Sequence, residues 1–236
     1  MRMRKKKNSE GRLAACERVL YNHQDNEALL DPGAVMDMAG APVYLEIGAG
    51  KGRFAAEMAK RHSDKAYFAM ERVTDCVVLA AELAESEEYR DCKNLRFVID
   101  TADNLLHIFG KGTIDGIFLN FSDPWSKKGY AKRRLTHRRY LGLYMNLLRE
   151  GGVLTFKTDN RGLFDFSLEE IEEMGLSCEV VTYDLHSSEW NEGNIRTEYE
   201  DNFSAQGYKI NMLKLRRPVG VCFDVAPEFV EKNYRG

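Results

Sequence analysis

The chain has 236 residues, 44% of them hydrophobic and 30% charged, with a formal net charge of −3, a balance that suits one large domain with short appendages. Its five cysteines (Cys16, Cys76, Cys92, Cys178 and Cys222) are scattered, with no C-x-x-C pair and no paired histidines, so neither a disulfide framework nor a metal site is expected. The basic start "MRMRKKKNSE" runs into "GRLAACERVL" rather than an apolar segment, and no apolar run is long enough for a bilayer, so a cytoplasmic protein with no membrane partner is expected.

The first 40 residues, including "DPGAVMDMAGAP", read as an appendage (1–40) to a main domain (41–217) followed by a tail (218–236). From Val43 onward short apolar runs alternate with helical patterns, the signature of βαβ units and a parallel sheet. Strands are predicted at "VYLEI" (43–47), "AYFAM" (66–70), "LRFVI" (95–99), "IDGIFLN" (114–120) and "VLTFKT" (153–158). Helices are predicted over 52–61, 74–87 and 136–149, the last closed by "EGG" as a glycine cap. In that helix Leu141, Tyr144, Met145 and Leu148 share one face, which leaves Arg138 and Arg139 toward solvent or a ligand. One more helix (160–174) precedes "CEVVTYDL" and "YKINMLKLRR". With no helix read between these two strands, they form a hairpin-like antiparallel edge. The fold class is therefore α/β: a doubly wound, mostly parallel seven-stranded sheet with an antiparallel last strand.

"YLEIGAGKGRF" places Gly48, Gly50 and Gly52 directly after the first strand and at the start of a helix, where small residues permit a tight turn and close approach of a ligand. The second strand ends at Glu71, placed to bond the two hydroxyls of a ribose. Arg53 stands where the dinucleotide fingerprint requires its last glycine, so a pyrophosphate-free nucleoside is the better ligand. Glu46 adds a carboxylate at the mouth of the loop, a poor neighbour for pyrophosphate and a good one for a cationic amino acid. S-adenosylmethionine carries both groups. After the third strand Asp100, Thr101 and Asp103 are each in reach of an adenine amino group, and each could equally cap the helix starting near Ala102.

The fourth strand leads into "FLNFSDPWSKKGYAKRRLT", which sets Asp123 at the carboxyl edge of the sheet, where open α/β folds bind ligands. Pro124 stops the strand, and Trp125 either packs beneath the loop or stacks on a base. Between Lys127 and Arg139 seven of thirteen residues are Lys or Arg, with no acid among them. Such a block supplies phosphate contacts to a nucleic acid whatever the net charge of the whole chain.

Taken with "EIGAGKG", "FKTDNRGLF" and "TEYEDNF", this stretch resembles the bacterial tRNA (guanine-N7-)-methyltransferase family, in the family's order from about Tyr44 to Phe203. The resemblance implies a class I, Rossmann-like methyltransferase fold, S-adenosylmethionine as methyl donor, and methylation of N7 on the variable-loop guanine of tRNA. It implies Glu46, Glu71 and Asp123 as cofactor-binding acids and Asp123 as the catalytic carboxylate. Thr101 stands at a further cofactor position that is usually an acid or amide, with Asp100 as a substitute. Lys127, Asp159, Thr197, Glu198, Tyr199 and Glu200 match substrate-binding positions, and Gly129, Tyr130, Ala131, Lys132, Arg133 and Arg134 match an RNA-contacting stretch. Ser126 replaces the family's usual proline, and Gly129 and Tyr130 replace a common Arg-His pair.

The chemistry fits these residue types. Guanine N7 holds a free lone pair and no proton, so its attack on a methyl group needs no general base. What remains is to hold donor and acceptor in line and to stabilise the positive charge that arrives on the base, a task for a carboxylate such as Asp123. Asp159 or Glu200 could accept from the guanine N1–H and amino group. The alternatives are a nicotinamide-dependent oxidoreductase on a similar sheet and a catalytically inactive tRNA-binding module. A monomer or a homodimer is compatible with this reading.

Overall fold

In a computed structural model of the chain, residues 7–22 and 29–230 are described. Residues 1–6 of the basic start and 231–236 of the tail lie outside them. The backbone forms two compact units, Met1–Gly110 and Lys111–Gly236.

In the first unit the strands β1 (Leu20–Tyr21), β2 (Val43–Ile47), β3 (Ala66–Glu71) and β4 (Leu95–Ile99) are ordered β1-β4-β3-β2, with every neighbouring pair parallel. β3 is buried at every position from Ala66 to Met70, as expected of a parallel strand covered on both faces. Helix α1 (Ser9–Ala14) precedes β1, and α2 (Pro32–Met36) precedes β2. α3 (Arg53–Arg61) and α4 (Thr74–Ala84) are the crossovers after β2 and β3, and the short α5 (Leu105–Ile108) follows β4. α4 buries Val77, Ala80, Ala81 and Ala84, a helical stripe, in a core shared with Tyr67, Leu95 and Phe97. The segment before β2 joins this unit through ion pairs and strand pairing: Arg12 meets Glu82, Arg18 meets Glu85, and β1 pairs with β4.

The second unit holds β5 (Ile114–Asn120), β6 (Leu148–Thr158), β7 (Val180–Thr182) and β8 (Asn211–Arg216) in the order β5-β6-β8-β7. β5 and β6 are parallel, and β8 runs antiparallel to both β6 and β7. α6 (Arg138–Leu147) and α7 (Arg161–Glu173) flank β6 in the chain, and α8 (Glu198–Ala205) precedes β8.

Four expectations are corrected. The described residues contain eight strands, because Leu20–Tyr21 adds one outside the predicted seven. "EGG" does not cap α6: Leu148 is already extended, β6 starts there, and the glycines fill a register shift opposite Ile114 and Gly116, with Gly151 at φ 77°. β7 and β8 are antiparallel neighbours, yet α8 lies between them in the chain, so they are no simple hairpin. Arg138 and Arg139 do not stand free: Arg138 binds Glu170 and Glu173, and Arg139 binds Glu228.

Candidate functional site

The glycine loop of the first unit leaves β2 with Gly48, Gly50 and Gly52 all left-handed, at φ 81°, 55° and 78°. At Gly48 and Gly50 an added Cβ would meet nothing within 4 Å, whereas at Gly52 it would come within 2.7 Å of the Ala80 Cβ and 2.9 Å of the Phe97 ring. Gly52 thus seats the loop on the core, and the turn before it stays open. The loop is pinned to β3, since the Gly48 and Ala49 N–H groups donate to the Met70 carbonyl.

Glu71, at the end of β3, accepts from the Gly50 N–H at 3.0 Å and from the Val73 N–H at 2.9 Å. Each carboxylate oxygen keeps lone-pair capacity for a further donor such as a ribose hydroxyl. The Glu46 side chain is buried at the end of β2, 4% exposed. Two acids at the ends of the neighbouring strands β2 and β3, with an open glycine turn after β2, fit a ligand with a cationic amino acid and a ribose. Beyond β4, Asp100 uses Oδ1 locally, accepting from the Thr101 N–H and the Asn104 amide. Thr101 is exposed and makes no side-chain cap, and Asp103 is half-buried in the turn that follows.

In the second unit the "FSDPW" turn carries Asp123, which is exposed. Phe121 and Trp125, two residues to either side of it, both take left-handed backbone, at φ 53° and 42°. Bulky residues adopt that region at a cost of about 1–3 kcal/mol each, and such strain clusters at functional sites. The turn is held from several directions. The Phe121 N–H donates to the Lys157 carbonyl. The Arg133 guanidinium lies 5.1 Å from the Trp125 ring centre and 4.7 Å from that of Tyr130, and the two rings meet edge to face. Arg134 donates to the Pro124 carbonyl at 3.0 Å and to the Trp125 carbonyl at 3.2 Å, with its guanidinium 4.3 Å from the Phe166 ring centre.

The basic block is not uniform. Arg138 and Arg139 are tied to acids of α7 and of the tail, and Arg134 is tied to backbone carbonyls and a ring. Lys127, Lys128 and Lys132 are exposed with no ion-pair partner among the described residues, and Arg133 meets rings rather than acids there. Gly129, Tyr130 and Ala131 carry these cations on a 3-10 turn, Lys128–Arg133.

The "FKTD" and "TEYE" segments meet through a buried ion pair. Lys157 Nζ donates to Glu200 Oε2 at 2.7 Å, to Asn194 Oδ1 at 3.0 Å and to the Ile195 carbonyl at 2.9 Å. Glu200 also accepts from the Asn194 amide at 2.6 Å and lies 2.8 Å from His186 Nε2. Burial would raise the Glu200 pKa, but the Lys157 charge and these hydrogen bonds overcome it and hold the carboxyl below its ordinary range. Thr197 caps α8, its hydroxyl accepting from the Glu200 N–H at 3.0 Å. The T-x-x-E sequence is that of a capping box, but here the glutamate side chain turns inward to Lys157. Glu198 is half-buried, and Tyr199 stands 59% exposed with its ring near-parallel to that of Phe121. Burial raises the Asp159 pKa, with a backbone hydrogen bond acting against it.

Of this unit's expected carboxylates Asp123 is exposed, Asp159 and Glu198 are half-buried, and Glu200 is buried, where it ties the helix that presents Tyr199 to Lys157. Lys157, Asn194 and His186 form no motif in the sequence; the one signal is the lysine inside "FKTD", a charge within an otherwise apolar strand.

A family model described as "Putative methyltransferase" matches residues 40–213. A tRNA (guanine-N(7)-)-methyltransferase of Macrococcus caseolyticus (strain JCSC5402) is 44% identical over 175 residues, which cover 74% of this chain and 81% of that protein. The chain belongs to the tRNA (guanine-N7-)-methyltransferase family. Among solved structures, the 16S rRNA methyltransferase KamB matches with a TM-score of 0.60 at 10% identity, covering 81% of this chain and 95% of that one. An antibiotic-related methyltransferase matches with a TM-score of 0.57 at 18% identity, covering 80% and 94%. At such identities these two likenesses speak for the methyltransferase fold alone.

Proposed function

We propose that this chain transfers a methyl group from S-adenosylmethionine to N7 of the variable-loop guanine in tRNA, acting in the cytoplasm as a monomer or homodimer, with residues 41–217 as the methyltransferase domain. The observation that carries the reading is the exposed Asp123 between two left-handed aromatic residues, followed within ten residues of the chain by four cations that pair with no acid among the described residues, in a chain whose relative is named for this reaction.

S-adenosylmethionine supplies an electrophilic methyl on a sulfonium, so no residue has to activate the donor. Glu46 suits its ammonium group, Glu71 its ribose hydroxyls, and the turn at Gly48 and Gly50 leaves space for its chain. Gly52 supports that turn from the core, and Asp100 or Thr101 lies in the range of the adenine.

On the acceptor side, N7 reacts through its own lone pair, and positive charge moves from sulfur to the base. Asp123 opposes that charge, which favours the transition state over the ground state. Asp159, whose raised pKa marks a desolvated carboxyl, suits the guanine N1–H and amino donors, and adenine would leave it unpaired. Tyr199 and Glu198, on the helix capped by Thr197, complete the wall for the base. Lys127, Lys128, Lys132 and Arg133 suit the phosphate backbone, where contacts position the RNA without reading its sequence.

The test is incubation of purified protein with labelled S-adenosylmethionine and unmodified tRNA, followed by nucleoside analysis. 7-Methylguanosine from the variable loop is expected; label in any other nucleoside, or none, overturns the proposal.

A further inference from the structure

We infer that Arg134 is a positioning residue for the Asp123 turn rather than a contact to the tRNA backbone, an inference that rests on the proposed function and departs from the RNA-contacting role the resemblance implies for it. Three observations carry it. Arg134 donates from two different nitrogens, Nε and Nη2, to two consecutive carbonyls, those of Pro124 and Trp125. Its guanidinium also lies over the Phe166 ring, so its face and two of its edge donors are engaged within the protein. Third, the turn it grips contains the left-handed Trp125 and follows the left-handed Phe121.

A turn with two strained residues persists only when its surroundings over-determine it. The planar fork of arginine can do this by binding two carbonyls at once while stacking on a ring, whereas the single ammonium of lysine cannot. Arg134 reaches back ten residues along the chain to fix the backbone one and two residues after Asp123. Arg133 presses on the Trp125 ring itself, so successive arginines divide the work: one holds the side chain of the turn, the other its carbonyls. Phe166 belongs to α7, and Arg134 thereby links the reacting carboxylate to a regular element of the unit. A charge-matching contact to phosphate would tolerate lysine and would add to the salt dependence of binding. A geometric clamp would do neither.

The experiment compares wild type, Arg134→Lys, Arg134→Ala and Lys132→Ala for tRNA affinity across a range of salt concentrations, and wild type and Arg134→Lys for kcat. Arg134→Lys is expected to lose about 10- to 100-fold in kcat, the scale of a small misplacement at a reacting centre, with tRNA affinity within twofold of wild type and an unchanged slope of log K against log[salt]. Lys132→Ala is expected to weaken tRNA binding and flatten the slope by about one unit. Retained kcat in Arg134→Lys, or a slope for Arg134→Ala as flat as that of Lys132→Ala, overturns the inference. If substitution at 134 prevents folding, Phe166→Leu, which removes the stack and leaves the arginine, is expected to give the same kcat loss, and normal kcat there overturns it. The chain has two tryptophans, so in a Trp190→Phe background the emission of Trp125 reads the clamp without RNA or cofactor. A shift with Arg134→Lys is expected, and an unchanged spectrum counts against the clamp. Because this last measurement needs no turnover, failure of the wild type to form 7-methylguanosine would sink the functional proposal and leave the clamp separately decided.

Discussion

Lys157 and Glu200 bury their charges against one another, with side chains 4% and 0% exposed and Nζ 2.7 Å from Oε2. The pair joins the end of β6 to the first turn of α8, 43 residues further along the chain. A buried ion pair gains little over a well-packed apolar pair, but removing one partner strands a charge in the interior. Lys157→Met is therefore expected to cost about 3–5 kcal/mol in urea denaturation, and Lys157→Met with Glu200→Leu to recover most of the loss. A double variant no more stable than the single one would mean that Asn194 and His186 satisfy Glu200 without the lysine.

The same carboxylate sets an acid limit. Folding lowers the Glu200 pKa despite burial, because Lys157 and the surrounding donors outweigh desolvation, and Glu170 is lowered likewise by Arg138 against the effect of burial. A native carboxyl that binds its proton more weakly than the unfolded one contributes its full stability above the unfolded value, about 4.3. That contribution disappears as pH falls through the lower folded value. Asp159 works in the opposite sense, since burial raises its pKa. Urea midpoints measured from pH 7 downward should show wild type losing stability relative to Lys157→Met with Glu200→Leu below about pH 4, at an otherwise constant ionic strength. A difference between the two proteins unchanged down to pH 2 would show that the pair is not linked to protons.

Much of this was legible in the sequence, and the failures share a cause. β2, β4 and β5 fall on the predicted residues, because a short run rich in apolar residues between turn signals marks a buried strand even when it carries one charge, as at Glu46, Arg96 and Asp115. β6 begins five residues earlier than expected because its pairing with β5 tolerates a register shift, which depends on the neighbour rather than on "EGG". Leu20–Tyr21 is too short for any periodicity. α8 carries a T-x-x-E start at Thr197, but its eight residues are too few for an apolar periodicity to mark it as a helix. The basic block shows the limit most clearly: its seven cations look equivalent in sequence, yet Arg134 is tied to carbonyls 9 and 10 residues back, and Arg138 and Arg139 to acids 32 to 89 residues ahead, distances no local pattern reports.

Gly52 offers a test of how the loop is seated. Alanine there must hold φ near 78° and push its Cβ to within 2.7 Å of Ala80 and 2.9 Å of Phe97, whereas alanine at Gly48 meets the backbone penalty without a clash. Strain of this kind costs about 1–3 kcal/mol, and forcing a methyl into a packed core costs typically a further 1–3 kcal/mol. Gly52→Ala should therefore lower the urea midpoint clearly more than Gly48→Ala. Equal losses would mean that the core yields at Ala80.

Salt dependence can separate the cations that hold RNA from those that hold the fold. Lys128 and Lys132 carry no ion pair among the described residues, while Arg138 is locked to Glu170 and Glu173. Removing a lysine that touches a phosphate reduces the slope of log K against log[salt] by about one, so Lys128→Ala with Lys132→Ala should flatten it by about two units and weaken tRNA binding most at low salt. Arg138→Ala should leave the slope intact and instead lower the urea midpoint, because Glu170 is buried and would be deprived of its main partner. Asp123→Ala should change neither slope nor midpoint but reduce kcat by about 100-fold or more, the usual effect of removing one group aimed at transition-state charge. Filter binding over a range of potassium chloride, urea melts and single-turnover methylation on the same three variants would separate the three roles. A flattened slope for Arg138→Ala would show that its ion pairs open to admit RNA, and would move that residue from the scaffold to the binding surface.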